Sequence, residues 1–481
     1  MRYIPHTEAD VASMLRLIGA PSVEALFEHI PQSLRLKRPL DIEPLDEATL
    51  LGHLGEIGAH STPAIGSTPR EGAALSFVGA GLVPHHIPTA VDALLMRAEW
   101  YTSYTPYQPE VAQGTLQAVF EYQTLVAELF GPAAAPGGHA PFISNASMYD
   151  GASATAEAVL MARRLTGRAA VIVCGAVHPQ YVETVRCYLA GLAEPGQVLL
   201  SSVGFGPDGR IDHAALEDAV HEAGASLACV LMQTPNYLGV VEDVRKIAAS
   251  THLHGALLVA VCTEPLSLGV LASPGALGAD IVTGEGLGLA IPPSCGGPSV
   301  GLFAARADFV RQMPGRLVGE TVDSTGRRGY VLTLATREQH IRRDKATSNI
   351  CTNQGLIALA FAIHMCLLGR RGFTELSRLN LAKAEYAKQR LQAVRGFRLA
   401  VSGPTFNEFA LRVRGRASHA VERLIDQNQG QALLAGVPLD RPGLALPELP
   451  DHEQTLLIAV TERHRREDID RLAEALDEVC P

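Results

Sequence analysis

The densest run of chemically capable side chains is Trp100-Tyr101-Thr102-Ser103-Tyr104-Thr105-Pro106-Tyr107-Gln108-Pro109-Glu110. Tyr101, Tyr104 and Tyr107 offer phenols, Gln108 offers an amide, and the two prolines fix φ and remove backbone donors. A stiff loop presenting phenols and an amide suits small-molecule recognition, because binding residues concentrate on loops held by rigid elements. The competing reading is a rigid surface turn whose tyrosines pack underneath.

Ser144 and Asn145 open a second polar stretch, Ser144 to Gly151, ahead of a helix of small residues from Ala152. Hydroxyls and N–H groups at a helix start can hold a phosphate or carboxylate, although ordinary capping by Ser144, Asn145 or Ser147 explains them equally well. Arginines follow in Met313-Pro314-Gly315-Arg316 and in Thr336 to Asn349, which contains Arg337 and Arg343. Arg316, Arg337 and Arg343 could clamp a carboxylate in bidentate fashion; an ion-paired loop between domains is the alternative. His178 could stack on a ring or cap a helix, and His85-His86, set between prolines, reads as structural.

The chain has only five lysines: Lys37, Lys246, Lys345, Lys383 and Lys388. Chemistry that runs through a Schiff base needs a lysine amine. Lys345 lies in a charge run, Arg342-Arg343-Asp344-Lys345, of the kind that is solvated or ion-paired rather than buried.

The elements that must hold these groups alternate. Apolar runs at 169–174, 227–232, 256–261 and 280–283 are continuous, which means burial on both faces and a mostly parallel sheet under helices. Helical patterns cover 152–165, 179–190, 213–223 and 241–250. Beyond about 345 the pattern becomes helices (353–368, 374–394, 417–427, 466–479) with strands near 397–401, 407–413 and 454–460. The expected organisation is an N-terminal arm over 1–70, a large α/β domain over 71–345, and a smaller α+β domain over 346–481, with a Gly/Pro/Ser-rich boundary at Ser61 to Gly72.

Composition bounds the function. Apolar residues make up 47% and the formal net charge is −10, which fits a packed globular protein and argues against a polyanionic partner such as DNA. Continuous apolar runs fall short of the ~18 residues a membrane span needs, and Met1 to His6 starts no signal-peptide pattern. Eight cysteines show no metal-ligand spacing and read as reduced thiols. The expectations are a cytoplasmic protein, no membrane, no nucleic acid and no metal.

Taken together, Tyr101 to Glu110, Ser144 to Gly151, Gly278-Ala279-Asp280-Ile281-Val282, Gly296-Gly297-Pro298, Met313 to Arg316 with Gly319-Glu320, and Arg337 to Asn353 resemble the glycine decarboxylase P-protein family. The likeness runs in order from about residue 70 to 370 and fits the N-terminal half of the long form, the separate α subunit of two-subunit versions. It implies a pyridoxal-phosphate (PLP) dependent transferase fold, fold type I and aminotransferase-like. In that fold a lysine follows a sheet strand, but the stretch from Val282 through Gly284-Glu285-Gly286-Leu287-Gly288 has none. Cys262-Thr263-Glu264-Pro265 stands where relatives place an acid for the pyridine nitrogen, which implies a vestigial pocket.

The resemblance therefore implies glycine dehydrogenase (aminomethyl-transferring) activity only in complex with a β subunit that binds the PLP. Glycine would lose CO2 there, and the aminomethyl group would pass to the lipoyl arm of H-protein, in an α2β2 heterotetramer. Tyr101, Tyr104, Tyr107, Gln108, Ser144 and Asn145 would serve the partner's active site. A scaffold that only stabilises β, or an autonomous PLP enzyme using Lys345, are the alternatives.

Overall fold

The structure is a computed structural model that describes residues 5–38, 40–60, 64–65, 74–134, 141–192, 199–294, 296–427 and 433–480. Most of the expected boundary at Ser61 to Gly72 lies outside the described residues. The chain forms two compact units, Met1–Ser61 and Thr62–Pro481.

The first unit holds helices Glu8–Ile18 and Glu47–Ala59. Thr7 and Asp10 close a reciprocal cap on the first, and Asp46 accepts from Thr49 N–H on the second. None of its described residues is buried, so it has no core of its own.

The second unit is built on a seven-stranded sheet. Its strands are β1 (Phe142–Ser144), β2 (Ala170–Cys174), β3 (Leu200–Val203), β4 (Leu227–Gln233), β5 (Leu257–Cys262), β6 (Ile281–Glu285) and β7 (Gly301–Arg306). They lie in the order β1-β7-β6-β5-β4-β2-β3. Every pair from β6 to β3 is parallel, while β7 runs antiparallel to both β6 and β1. The continuous apolar runs are explained by cover on both faces. Val230, Met232, Leu258, Ala260 and Val282 join one core, whereas Cys229, Leu231, Val259, Val261 and Ile281 join the other. Helix Gly151–Thr166 packs into that second core, and its N-terminus meets the carboxyl end of β6, where Gly151 N–H reaches the Glu285 carboxylate.

A four-stranded antiparallel sheet forms the smaller lobe, with strands Arg398–Leu399, Glu408–Arg412, Thr455–Ala459 and Val437–Pro438 in that order. Helices Ala417–Gln427 and Arg466–Val479 supply Leu424, Leu472 and Leu476 to its core. Strand Ala74–Ser76 pairs in parallel with Leu433–Leu434, and Leu75 and Phe77 belong to the same core. Residues 74–77, expected in the large domain, thus pack with the C-terminal lobe because their apolar side chains find their partners there.

The helical stretch Gly355–Gln392 is two helices joined at a kink, the division the sequence pattern makes, because Gly369 (φ 56°, ψ 177°) has a non-helical backbone. By length and composition it could cross a bilayer, although its apolar residues are interrupted and form no continuous run of ~18. Ile357, Ala358, Ala360 and Phe361 are instead built into the core beneath the large sheet. The antiparallel hairpin Leu317–Val322 and Arg328–Thr333 was also not anticipated. It turns on Asp323, whose carboxylate accepts from Thr325 and Arg327 N–H.

Candidate functional site

The phenol-rich segment begins as the short helix Ala98–Tyr101 and leaves it before Pro106. Gln113, at the start of helix Gln113–Phe130, ties its far end down. The Gln113 amide donates to Pro109 O at 2.7 Å and Tyr330 O at 2.8 Å, and accepts from Tyr330 N–H at 2.9 Å. The hairpin therefore braces the loop through one side chain. Tyr101, Tyr104 and Tyr107 are 55%, 78% and 53% exposed, so none is packed away in a core, although the Tyr107 hydroxyl turns back toward the protein. Gln108 is exposed beside Tyr104 and Tyr107 along one open cleft.

Arg316 stands behind the loop. It is buried, and its Nη2 donates to the Tyr107 hydroxyl at 2.9 Å while its charge lies 5.3 Å from the centre of that ring. Its Nε is 3.4 Å from the Glu338 carboxylate but makes no hydrogen bond. A cavity of about 270 Å³ opens between Trp100, Tyr101, Tyr104, Tyr122, Arg316 and Asn353. The arrangement offers phenols, an amide and one buried cation to a small anionic ligand. Asn353, whose amide donates to Ala146 O and the Ser147 hydroxyl, was not singled out in the sequence; its only signal was its place in the Arg337 to Asn353 motif.

The other sequence candidates do not join this cavity. Ser144 is buried, with its hydroxyl on Asn145 O at 3.2 Å. Asn145 is fully buried, donates to Pro314 O at 3.1 Å and accepts from Ser147 N–H at 3.2 Å. Both fix the turn before helix Gly151–Thr166. Arg337 does not clamp an anion: its guanidinium donates to the Met313, Gly315 and Leu334 carbonyls. Arg343 is exposed, in the turn Arg343–Lys345. His178 caps helix Pro179–Ala190 by accepting from Gln180 N–H, its other ring nitrogen meets Ala80 O, and its ring packs on Tyr181 and Tyr237.

At the carboxyl ends of β5 and β6 the residues do not fit PLP. No lysine stands there. Lys345 and Lys246 are exposed, Lys383 donates to the Glu462 and His464 carbonyls, and Lys388 to the Thr405 hydroxyl. A side chain at Gly288 would collide with Val83 O. His85 fills the acid end of the pocket, with Nε2 at 3.1 Å from Glu264 and Nδ1 at 2.9 Å from Glu462. Glu285 fills the helix end, accepting from Gly151 N–H. A phosphate brought to that helix would face the Glu285 and Asp150 carboxylates together. The missing lysine is legible in the sequence but these arrangements are not, since His85 meets Glu264 and Glu462, and Glu285 meets Gly151 and Ser299, only in the fold.

The model of the glycine cleavage system P-protein family matches residues 1–476. A probable glycine dehydrogenase (decarboxylating) subunit 1 of Sorangium cellulosum is 50% identical, and one of Rhodospirillum centenum is 48% identical, each over 100% of both chains. A crystal structure of glycine decarboxylase (P-protein) of the glycine cleavage system, in inhibitor-bound form, is similar with a TM-score of 0.81 and 43% identity over 100% of both chains. A rice TDC structure with PLP and tryptamine shares the fold at 14% identity, TM-score 0.62, over 99% of each chain.

Proposed function

The chain belongs to the glycine cleavage system P-protein family, and from that premise we propose that it lends residues to an active site whose PLP is held by the second subunit. It is the α subunit, subunit 1, of a glycine dehydrogenase (decarboxylating). When bound, PLP supplies the electron sink that lets glycine lose CO2. The acceptor of the remaining aminomethyl group is the lipoyl arm of H-protein, and the assembly is an α2β2 heterotetramer in the cytoplasm.

One observation carries this division of labour. The pocket at the ends of β5 and β6 is filled by His85 and Glu285 and has no lysine, while Tyr101, Tyr104, Tyr107 and Gln108 remain exposed in front of buried Arg316. Arg316 is the group suited to the substrate carboxylate, and the phenols and amide can line the entrance and exclude water. Ser144 and Asn145 serve by holding the turn beneath Arg316, whose carbonyl accepts from Ala146 N–H at 2.9 Å.

Borohydride treatment with PLP tests the proposal. The purified chain should trap no cofactor on a specific lysine, Lys345→Ala should change nothing, and glycine–bicarbonate exchange should appear only after the second subunit is added. Stoichiometric trapping on one lysine of this chain would overturn it.

A further inference from the structure

Three donors converge on one buried carboxylate at the carboxyl end of β6. Glu285, 9% exposed, accepts from Gly151 N–H at 3.0 Å, Leu287 N–H at 2.9 Å and the Ser299 hydroxyl at 2.6 Å. Gly151 is the first residue of helix Gly151–Thr166, so the carboxylate sits at the positive end of that helix dipole. Open parallel sheets take ligands beyond the carboxyl ends of their strands, and helix N-termini take phosphates. In this chain that position already has an occupant. The neighbouring Asp150 carboxylate holds Ser153 N–H at 2.8 Å, and the Tyr181 hydroxyl closes the space over Gly151.

We propose that Glu285 is the built-in ligand of this anion site, that self-ligation excludes a phosphate-bearing cofactor from the chain, and that removing its carboxylate opens a site for a small monoanion. The ligand class follows from charge and size. Two backbone N–H groups and one hydroxyl, with Asp150 adjacent, suit one negative charge better than two. Replacing Glu285 with alanine deletes one methylene and a carboxylate, and acetate has the same heavy atoms. Burial pushes the Glu285 carboxyl upward, and the bonds from Ser299, Gly151 and Leu287 oppose that shift.

Thermal unfolding of the full-length chain tests this. Glu285→Ala strands buried donors and should lower Tm by roughly 3 °C. Acetate should restore most of that loss, sodium chloride at equal ionic strength should not, and inorganic phosphate should restore less than acetate. The wild type should respond to none of them beyond the salt effect. A variant as stable as the wild type, or one that acetate helps no more than chloride, overturns the proposal. If Glu285→Ala does not fold, Glu285→Gln decides: it sets an amide donor against backbone donors, so its Tm should fall further than that of Ser299→Ala. Equality with the wild type would again overturn it. The readout concerns this chain alone, so it stands or falls separately from where the complex holds its PLP.

Discussion

Replacing His85 with alanine should destabilise the protein in a pH-dependent way. The imidazole is 1% exposed and lies between the Glu264 and Glu462 carboxylates at 3.1 Å and 2.9 Å. Glu264 follows β5 of the large sheet and Glu462 follows strand Thr455–Ala459 of the smaller lobe, so one ring ties the two lobes together. Burial alone would push the ring down, but the two carboxylates outweigh it and hold His85 up at about 10. Burial would likewise raise Glu462, but His85 and the His86 and Asn380 hydrogen bonds hold it down at about 2. Removing the cation leaves buried carboxylates unpaired, which costs about 3–5 kcal/mol. For about 420 residues the unfolding entropy is ~0.9 kcal/mol per kelvin, so Tm should fall by about 3–6 °C. The raised His85 contributes its stability in full below its ordinary 6.5 and loses it as pH climbs through about 10. The depressed Glu462 contributes in full above its ordinary 4.5 and loses it as pH falls toward about 2. The gap between wild type and variant should therefore be widest near pH 4.5–6.5 and shrink toward pH 10. Calorimetric melting across that series measures it. A gap that widens toward pH 10, or a Tm loss at pH 6 too small to measure, would refute the reasoning.

Two further outcomes concern the open cavity. Arg316→Gln keeps the shape but removes the buried cation, and a lost charge-assisted hydrogen bond of about 1.5–3 kcal/mol should lower kcat/KM for glycine in the reconstituted complex by roughly 10- to 100-fold. Tyr107→Phe removes the hydroxyl that accepts from Arg316 and Gln108→Ala removes an exposed amide; both should slow glycine–bicarbonate exchange while the subunits still co-purify. Unchanged turnover in both would favour a chain that only stabilises its partner.

The large sheet was legible because its strands are covered on both faces, so runs such as Leu227 to Met232 stay apolar without interruption. Helices Pro179–Ala190 and His213–Ala223 lie where the sequence pattern put them, with His178 and Asp212 at their caps in the structure. The hairpin at 317–333 did not, because only Leu317, Val318 and Tyr330 are buried and the remainder carries exposed polar residues. At the site, tyrosines between prolines are a local signal that survives in sequence. For Arg337 the sequence left two readings open, because an arginine among charges looks the same whether it binds an anion or, as here, backbone carbonyls of a segment more than twenty residues earlier. What fills the lapsed pocket was illegible in principle, since its occupants are far apart in the chain.

Strand Ala74–Ser76 also sets a timetable for synthesis. Phe77 N–H reaches Leu434 O at 2.8 Å, Phe77 O receives Ala459 N–H at 2.9 Å, and Phe77 stacks on His464 with ring centres 4.3 Å apart. These partners leave the ribosome hundreds of residues after Phe77 does. An early segment must therefore wait, with its edge and aromatic ring uncovered, until nearly the whole polypeptide is made, and closing so long a loop adds its entropic cost at that late step. A fragment beginning near residue 346 would lack this strand and leave Leu433 without Leu75 beside it, so the smaller lobe is a product of both halves of the translation rather than a detachable module.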